Sequence, residues 1–359
     1  METKSFVMEI LEKNLINNIE YLKEKYEKSI LPVIKANAYG HGIEIIAKAL
    51  YRNGYKEFSV ARLKEATKIL ENKDLNGCKI LVFESIDQKD FSYIKDCDSI
   101  ILTANSFQEL VAMIDNGISS GKIQLKIDFG FGRNGIDILE ISKLKSYIIK
   151  KNLKFNGIYS HLYATDFKEG KELLNEFNKI VLFLGKDRFQ MIHMQNSVGI
   201  LLYRTQKLMT HMRSGIFIYG LQEEGFFHEG LKQVFQLKGK VAGIRDLEKS
   251  KYLAYSLKSD LNNINYKNIV KIKIGYGDGF LKCNENTFCT INKKSYKILH
   301  VTMDNTFIVG DESIRDGDEV ILYPDITLVR KNTGMHICEI LPLINERIER
   351  VLKSQGTEN

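Results

Sequence analysis

The sequence predicts a parallel (β/α)8 barrel, residues 1–230, followed by a mostly antiparallel β domain, residues 231–359. Three observations support this prediction. The 359 residues are 44% hydrophobic and 27% charged, the composition of an ordinary globular protein too long for one small domain. Short apolar runs alternate with helix-length segments up to about residue 220, and beyond residue 230 strand-like runs have few helices between them.

Eight apolar runs in the first 220 residues have the length and residue types of buried strands. Segments with helical patterning, such as 63–71, 106–116 and 168–185, lie between them. A parallel connection needs a return of helix length, so eight such repeats are typical of a closed barrel. An open doubly wound sheet gives similar alternation, but the count of eight and the lack of a Gly-rich phosphate motif after the first strand favour the barrel. The predicted strands are 31–36, 57–61, 79–84, 99–104, 122–128, 155–162, 189–195 and 212–220.

Strand-like runs dominate the C-terminal third. They follow one another with few helical segments, which is typical of an antiparallel β domain. A final helix is predicted over about 337–352. The runs are "FQLKGKVAGI", "KYLAYSL", "NIVKIKIGYG", "YKILHVTM" and "DEVILYP".

Charge and composition argue against several other classes of protein. The net charge is +7, but the 52 basic residues are dispersed and opposed by 45 acidic ones, so no nucleic-acid partner is predicted. No apolar run approaches membrane-spanning length and the N-terminal segment lacks a signal-peptide core, which predicts a cytoplasmic protein without a membrane partner. The five cysteines are scattered, so neither a disulfide framework nor a metal site is predicted.

The segment "VIKANAYGHG", residues 33–42, places a lysine where a predicted strand gives way to a turn. Gly40 and Gly42 mark the turn, and a helical pattern begins at Ile43. A lysine at a strand end must be solvated, be paired, or react. Lys35 is therefore either a strand-end lysine with a solvated ammonium group or an amine that forms a Schiff base.

Four further polar residues lie at or just beyond the carboxyl ends of predicted barrel strands. Because active sites of such barrels collect at the carboxyl ends of the strands, these side chains are predicted to converge with Lys35 on one mouth. Each also has a structural interpretation: the arginine could pair with Asp128, the histidine could be satisfied in the core, and the Asn-Ser pair could cap a helix. The four residues are Arg133, His161, Asn196 and Ser197.

The sequence resembles the pyridoxal-phosphate-dependent alanine racemases over nearly its whole length. The lysine motif and "IGYGDGF" (274–280) are specific features of this resemblance, whereas "QNS" (195–197) and "MD" (303–304) are weak alone. The resemblance implies a barrel followed by a β domain, as the pattern of runs indicates independently. The other similar segments are "FSVARLKEA" (58–66), "KIDFGFGRNG" (126–135), "GIYSHLYATD" (157–166) and "RSGIFIYG" (213–220).

The resemblance implies that Lys35 binds pyridoxal 5′-phosphate as a Schiff base and that Tyr276 is a second base. Racemisation removes a proton from one face of Cα and returns one to the other, and the cofactor supplies the electron sink. Tyrosine is a poor base at its usual pKa of about 10, so it needs neighbours that assist it. The resemblance assigns this support to a hydrogen-bonded chain through His161 and Arg213.

The resemblance also implies roles in binding. Arg213 would face the pyridine nitrogen and leave it unprotonated, because a guanidinium does not readily give up a proton. Arg133 and the Met303 backbone would lie near the substrate carboxylate, and Lys126 corresponds to a lysine that is carbamylated in some members of the family. The implied cofactor-binding residues are Lys35, Tyr39, Asn196, Ser197, Arg213, Gly215 and Ile216.

The resemblance further implies a head-to-tail homodimer with a small amino acid, most directly alanine, as substrate. The β domain of one subunit would cover the barrel mouth of the other, so that Lys35 and Tyr276 meet across the interface.

Several positions depart from the family pattern. The family usually has a tyrosine near the C-terminus that helps to hold the phosphate, but no tyrosine follows Tyr323 here. Because the other changes border the site, they leave the substrate open. They are Phe129, Phe131, Thr302 and Lys282, at positions where threonine, methionine, cysteine and arginine are more usual.

Three alternatives remain from the sequence. A racemase of serine or another small or basic amino acid would use the same residues. A non-catalytic pyridoxal-phosphate barrel would keep Lys35 but would not need Tyr276. A decarboxylase on a related fold should have an acidic partner for the pyridine nitrogen, where this chain has Arg213.

Overall fold

The computed structural model describes residues 5–163, 167–203, 206–222, 227–257, 264 and 266–354. The last three residues of the similar segment 157–166 lie outside this description. The strands up to residue 214 are β1 (Val7–Leu11), β2 (Ser29–Pro32), β3 (Glu57–Val60), β4 (Lys79–Val82), β5 (Ile100–Ala104), β6 (Ile123–Asp128), β7 (Ile136–Asp137), β8 (Phe155–Tyr159), β9 (Phe189–His193) and β10 (His211–Ser214).

The helices lie mostly between the barrel strands. Within the described ranges, none combines the length and the apolar character that a membrane span requires. They are α1 (Glu12–Tyr26), α2 (Lys35–Tyr39), α3 (Ile43–Arg52), α4 (Leu63–Leu70), α5 (Phe91–Asp96), α6 (Phe107–Asp115), α7 (Ile141–Lys150), α8 (Phe167–Leu184), α9 (Ser197–Leu202), α10 (Val329–Thr333) and α11 (Ile337–Ile340).

Eight of the strands form a closed parallel ring. Strands β3, β4, β5, β6, β8 and β9 pair in that order, and β10 pairs with β2. A parallel bridge between Val33 and Ser59 joins β2 to β3, and the Thr210 N–H donates to the Ile192 carbonyl to join β10 to β9. The predicted (β/α)8 barrel is therefore confirmed.

Alternation along β6 determines which of its side chains face the barrel interior. Ile123, Leu125 and Ile127 belong to the main core that the barrel shares with its helices. Gln124 and Lys126 therefore point inward, although both are polar and buried. The inward apolar cluster is small, so polar groups fill the barrel near its mouth. Its members are Leu31, Leu81, Ile101 and Tyr159.

The strands from β11 onward form the second domain together with β1, and nearly all of its pairs are antiparallel, as predicted. The eight-stranded sheet has the order β14-β17-β16-β15-β18-β11-β1-β19, and β11 also pairs with β14, which closes part of it into a barrel. The strands are β11 (Phe235–Arg245), β12 (Tyr252–Leu253), β13 (Ser256–Leu257), β14 (Ile269–Ile272), β15 (Phe288–Ile291), β16 (Lys294–Val301), β17 (Thr306–Val309), β18 (Glu319–Leu322) and β19 (Glu349–Lys353).

Strand β1 lies in this second sheet although it precedes the barrel strands in the sequence. It pairs antiparallel with β11 and parallel with β19. Met8 and Ile10 are fully buried there. The division at residue 230 leaves this strand with the barrel, because a five-residue alternating run does not indicate which sheet it joins.

Two predicted elements differ from the structure in type over part of their length. Strand β10 ends at Ser214, and Ile216–Tyr219 is a 3-10 helix because the chain turns at Gly215, with φ −100° and ψ −84°. The helix over 337–352 is wrong beyond residue 343, since α11 leads into a 3-10 turn containing Pro342 and then into β19. Proline lacks the N–H that would continue a helix.

Candidate active site

Lys35 starts a left-handed turn just beyond β2. The next four residues, 36–39, have φ of 53° or 54°, and ψ of residues 36–38 is 44° to 53°. These values belong to the left-handed helical region, which costs L-residues roughly 1–2 kcal/mol each. We call residues 35–40 the lysine turn. Contacts from other elements must hold it in place.

Three side chains hold the lysine turn. The Glu65 carboxylate on α4 accepts a hydrogen bond from the Ala36 N–H at 2.6 Å. Arg350 on β19 donates to the Gly40 carbonyl through Nε at 3.2 Å and Nη2 at 3.1 Å. Buried His41 follows the turn and stacks on Tyr219 with ring centroids 4.5 Å apart.

Gly40→Ala is expected to destabilise the protein more than Gly54→Ala. Both glycines have left-handed φ, +88° and +89°, so either alanine should cost about 1–2 kcal/mol. A Cβ at Gly40 would also lie 2.3 Å from the Leu341 carbonyl oxygen, whereas nothing lies within 4 Å at Gly54. Overpacking should add about 1–3 kcal/mol at Gly40, measured by urea denaturation. Equal losses in the two variants would show that the packing of the lysine turn against Leu341 is unimportant.

A cavity of about 580 Å³ opens at the mouth of the barrel beside the lysine turn. This volume lies within the usual range for small-molecule sites. The structure brings ten of the twelve sequence-predicted site residues to its wall, because each lies in the carboxyl-terminal half of a barrel strand or in the segment that follows one. They are Lys35, Tyr39, Lys126, Arg133, His161, Asn196, Ser197, Arg213, Gly215 and Ile216.

Tyr276 and Met303 lie together in the second domain. In the described part of a single chain, neither lines the cavity. The Tyr276 N–H donates to the Thr302 carbonyl at 3.0 Å, and the Gly277 N–H donates to the Met303 carbonyl at 2.8 Å. Tyr276 is half-buried and Met303 is 53% exposed. We call residues 275–279 the tyrosine loop.

The segment between α11 and β19 holds the tyrosine loop. Asn345 Nδ2 donates to the Gly277 carbonyl at 2.7 Å, and Arg347 Nε lies 3.1 Å from an Asp278 carboxylate oxygen. Arg347 Nη2 also contacts Asp304, beside Met303, at 2.9 Å. This segment, together with Arg350 on β19, therefore connects the tyrosine loop to the lysine turn of the same chain.

The cavity has a strongly positive lining. Four cationic side chains, Lys35, Lys126, Arg133 and Arg213, line it in the described residues, against one carboxylate, Glu84. The Glu84 carboxylate lies 3.4 Å from Arg62 Nε. Such a concentration of positive charge favours an anionic ligand.

Burial and mutual repulsion shift the pKa values of these groups. Burial, aided by Arg133, lowers the pKa of Lys35 and lowers that of Lys126 to about 8. Burial and the charge of Arg213 lower the pKa of His161 to about 3, so this imidazole is neutral near pH 7. The two lysines can therefore supply neutral amine more readily than solvated lysines do.

Arg213 is held by a hydrogen-bonded chain inside the barrel. Its Nη1 lies 2.5 Å from His193 Nδ1, and its Nη2 donates to the Ser160 carbonyl at 2.7 Å. Because a guanidinium only donates, His193 Nδ1 must accept. His193 Nε2 then carries the proton and donates to Gln124 Oε1 at 2.8 Å. The guanidinium also lies over the Tyr159 ring, 4.9 Å from its centroid.

Tyr39, Ser197 and Gly215 form a small cradle of hydrogen-bonding groups in the wall. The Gly215 N–H donates to Ser197 Oγ at 3.3 Å. A Cβ at Gly215 would lie 2.4 Å from the Tyr39 hydroxyl, so only glycine fits this approach. Two hydroxyls beside a backbone N–H suit an anionic oxygen ligand.

The structure gives different answers for two structural interpretations, the helix cap at Asn196 and the pairing of Arg133 with Asp128. Asn196 does cap α9, since its Oδ1 accepts from the Gly199 N–H at 2.8 Å, yet it also lines the cavity. The Asp128 carboxylate accepts from the backbone of Gly130 and Gly132 in the loop after β6. The Arg133 guanidinium lies over the Phe131 ring at 4.8 Å.

Sequence reasoning missed several residues of the site. Phe83 and Glu84 line the cavity just beyond β4, and the strand-end rule that identified Arg133 would have identified them. Tyr159 lies at the last, inward-facing position of β8. Glu65 carries no signal beyond its place near the start of a helix, because its contact with Ala36 appears only when the chain has folded.

Comparisons with known proteins agree with this architecture. The chain matches two family profiles, "Alanine racemase, N-terminal domain" over residues 10–223 and "Alanine racemase, C-terminal domain" over residues 234–352. It is 30% identical over 369 residues to an alanine racemase of Fusobacterium nucleatum subsp. nucleatum, with 96% of this chain and 99% of the relative covered. It is 27% identical over 378 residues to an alanine racemase of Helicobacter pylori (strain HPAG1), with coverages of 98% and 99%.

Solved structures give the same result. An alanine racemase of Clostridium difficile 630 superposes with a TM-score of 0.84 at 25% identity, covering 99% of this chain and 97% of that chain. The structure of alanine racemase from Bacillus anthracis with bound L-Ala-P gives 0.80 at 25% identity, with coverages of 99% and 97%. The family profiles together span most of the sequence, from the end of β1 to β19. The chain therefore belongs to the alanine racemase family.

Proposed function

We propose that this protein is a pyridoxal 5′-phosphate-dependent racemase that interconverts L- and D-alanine. Lys35 and Tyr276 are the two bases, one on each face of the substrate Cα. The observation that supports this function best is the positively charged cavity at the barrel mouth, with Lys35, Arg213 and the cradle of Tyr39, Ser197 and Gly215 in one wall. Membership of the alanine racemase family supports the same reaction.

The residues present fit pyridoxal 5′-phosphate. The cradle offers two hydroxyls and a backbone N–H to the phosphate, Ile216 adjoins it, and Asn196 flanks it as the cap of α9. The guanidinium of Arg213 offers a donor to the ring nitrogen. Bound there, the cofactor would supply an electron sink for negative charge at Cα.

Lys35 acts both as the attachment point and as one base. Its pKa is lowered by burial and by the charge of Arg133, so more of the amine is neutral near pH 7 than for a solvated lysine. A neutral amine is the form that attacks a carbonyl and the form that accepts a proton.

Arg213 and His161 support the chemistry while keeping their protonation states, cationic for the arginine and neutral for the histidine. Arg213 stays cationic because its neighbours His193 and Ser160 present acceptors to it, and a guanidinium cannot readily transfer its proton. His161, with its pKa lowered to about 3 by burial and by Arg213, remains a neutral imidazole that can donate at one nitrogen and accept at the other. Such a pair can polarise Tyr276 when the tyrosine enters the site.

Tyr276 and Met303 complete the site from a second subunit of a homodimer. In one chain the tyrosine loop belongs to the β domain and lines no part of the described cavity. Two-fold symmetry would place the tyrosine loop of each subunit over the barrel mouth of its partner and create two equivalent sites. The substrate carboxylate would then lie between Arg133 and the backbone of Met303.

Lys126 is suited to carbamylation. Its pKa of about 8 leaves some of the amine neutral near pH 7, which reaction with carbon dioxide requires, and the reaction releases one proton. The added carboxylate would replace the repulsion between Lys126 and Arg133 with attraction. Arg133 would then be oriented toward the substrate by this group and by the Phe131 ring.

The purified protein is expected to be yellow and to racemise L-alanine. Borohydride reduction should fix a pyridoxyl group on Lys35, which peptide mapping locates, because the reactive amine lies in the cavity wall. A chiral assay with L-alanine, L-serine and L-lysine measures substrate choice, and the fastest turnover should be with alanine. A label confined to another lysine would reject the assignment of Lys35. Faster turnover of serine or lysine would reject alanine as the substrate.

A further inference from the structure

Glu65, in the first turn of α4, accepts hydrogen bonds from three backbone N–H groups. Its Oε2 accepts from the Ala61 N–H at 2.9 Å and from the Arg62 N–H at 3.0 Å, which caps α4. Its Oε1 accepts from the Ala36 N–H at 2.6 Å. One carboxylate therefore joins the end of β3 and the start of α4 to the lysine turn.

The bond to Ala36 acts on the peptide group that follows Lys35. Ala36 is the first residue of the lysine turn with left-handed dihedrals, φ 53° and ψ 53°. A hydrogen bond to a charged acceptor is about twice as strong as a neutral one, so this bond can offset part of the cost of that conformation. The direction in which the chain leaves β2, and with it the direction of the Lys35 side chain, depends on this peptide.

The electrostatic environment of Lys35 also indicates that the Glu65 carboxylate lies near the lysine amine. Burial and Arg133 lower the pKa of Lys35, and the negative charge of Glu65 acts in the opposite direction. Glu65 lies beside the cavity, in the groove that Lys35 also lines.

Glu109, two repeats further along the barrel, has the same arrangement without a lysine. It occupies the corresponding position of α6, and its Oε2 accepts from the Asn105 N–H at 3.0 Å. Its Oε1 accepts from the Ser85 hydroxyl, in the loop after β4, at 2.6 Å. Each glutamate thus caps its own helix and also holds the β-to-α loop of the preceding repeat. Only the loop held by Glu65 contains Lys35.

We infer that Glu65 is a positioning residue for Lys35: by accepting the Ala36 N–H it fixes the lysine turn so that the amine meets the cofactor in one orientation. The inference rests on the proposed function, since it assumes that pyridoxal 5′-phosphate binds at Lys35.

The test compares Glu65→Gln with Glu109→Gln. An amide has one acceptor oxygen, so glutamine at 65 cannot serve Ala36 and the cap of α4 together. In Glu109→Gln the amide nitrogen can donate to the Ser85 hydroxyl oxygen. The hydroxyl then donates its own proton elsewhere. The affinity of the cofactor-free protein for pyridoxal 5′-phosphate, measured by visible absorbance, should fall roughly 10–100-fold for Glu65→Gln and stay within about threefold for Glu109→Gln.

A second measurement separates positioning from loss of stability. At saturating cofactor, the visible circular dichroism of Glu65→Gln should be weaker than that of the unmodified protein, because the bound chromophore is held less firmly. Glu109→Gln should keep the full signal. If Glu65→Gln does not fold, Glu65→Asp replaces it, since the shorter carboxylate keeps its charge but cannot reach both partners.

Two possible results contradict two different statements, the proposed function and the positioning role of Glu65. If the unmodified protein does not bind pyridoxal 5′-phosphate at Lys35, the proposed function fails. If it does, but the two glutamine variants share the same affinity and the same visible circular dichroism, Glu65 only caps a helix and the inference fails while the proposed function stands.

Discussion

Tyr276→Phe is expected to abolish racemisation while leaving exchange of the Cα proton of one enantiomer intact. The substitution removes one hydroxyl from the tyrosine loop, whose backbone bonds to Thr302 and Met303 do not involve that hydroxyl. Loss of a general base typically costs roughly 10²–10⁴-fold in rate. Lys35 still serves its own face, so deuterium from solvent should enter Cα of the enantiomer that lysine deprotonates, as measured by NMR, with little inversion.

Tyr93→Phe is the matched control for this experiment. Tyr93 is a half-exposed tyrosine on α5, outside the cavity lining, and its loss of a hydroxyl should leave turnover unchanged. Racemisation by Tyr276→Phe at a rate close to that of the control would show that Tyr276 is not a base. Loss of both racemisation and exchange would instead show that Tyr276 is needed to form the site.

Mixing two inactive proteins, Lys35→Ala and Tyr276→Phe, is expected to restore about a quarter of the unmodified activity. If each site takes its lysine from one chain and its tyrosine from the other, every mixed dimer has one site with both substitutions and one with neither. Random exchange of subunits makes about half of the dimers mixed, and half of their sites are intact. The readout is the racemisation rate after subunit exchange, with dimer composition measured by native mass spectrometry.

A mixture of Lys35→Ala with Lys35→Met controls for exchange itself. Its mixed dimers lack a lysine in both sites, so no activity should return. If Lys35→Ala and Tyr276→Phe form mixed dimers but stay as inactive as this control, the two residues act within one chain. The shared site would then be rejected, whatever the substrate.

The sequence was informative where function follows from position on a barrel strand. Lys126 is inward because β6 alternates, and Arg133, His161 and Asn196 lie beyond strand ends, so the rule that places active sites at carboxyl ends brings them together. The positions of these cavity residues could therefore be predicted from short apolar runs and turn residues.

Other features depend on contacts between distant parts of the chain. The lysine turn is left-handed over four residues that are not glycine, against their local preference, and the turn is held by Glu65 and Arg350. The last predicted helix became β19 because β1 offers it an edge to pair with. No local pattern reports such partners, because each comes from a region separated by tens or hundreds of residues.

Strand β1 has a consequence for how the chain assembles during its synthesis. Residues 7–11 are synthesised before the barrel strands, but their neighbours β11 and β19 begin only at residues 235 and 349. The barrel can therefore form while Met8 and Ile10, buried in the finished protein, still have no sheet to enter. Among the strands of the described residues, β1 is made before the others yet is one of the last to be paired. A chain that is interrupted or cut between the domains leaves this apolar strand exposed as an edge for unwanted association.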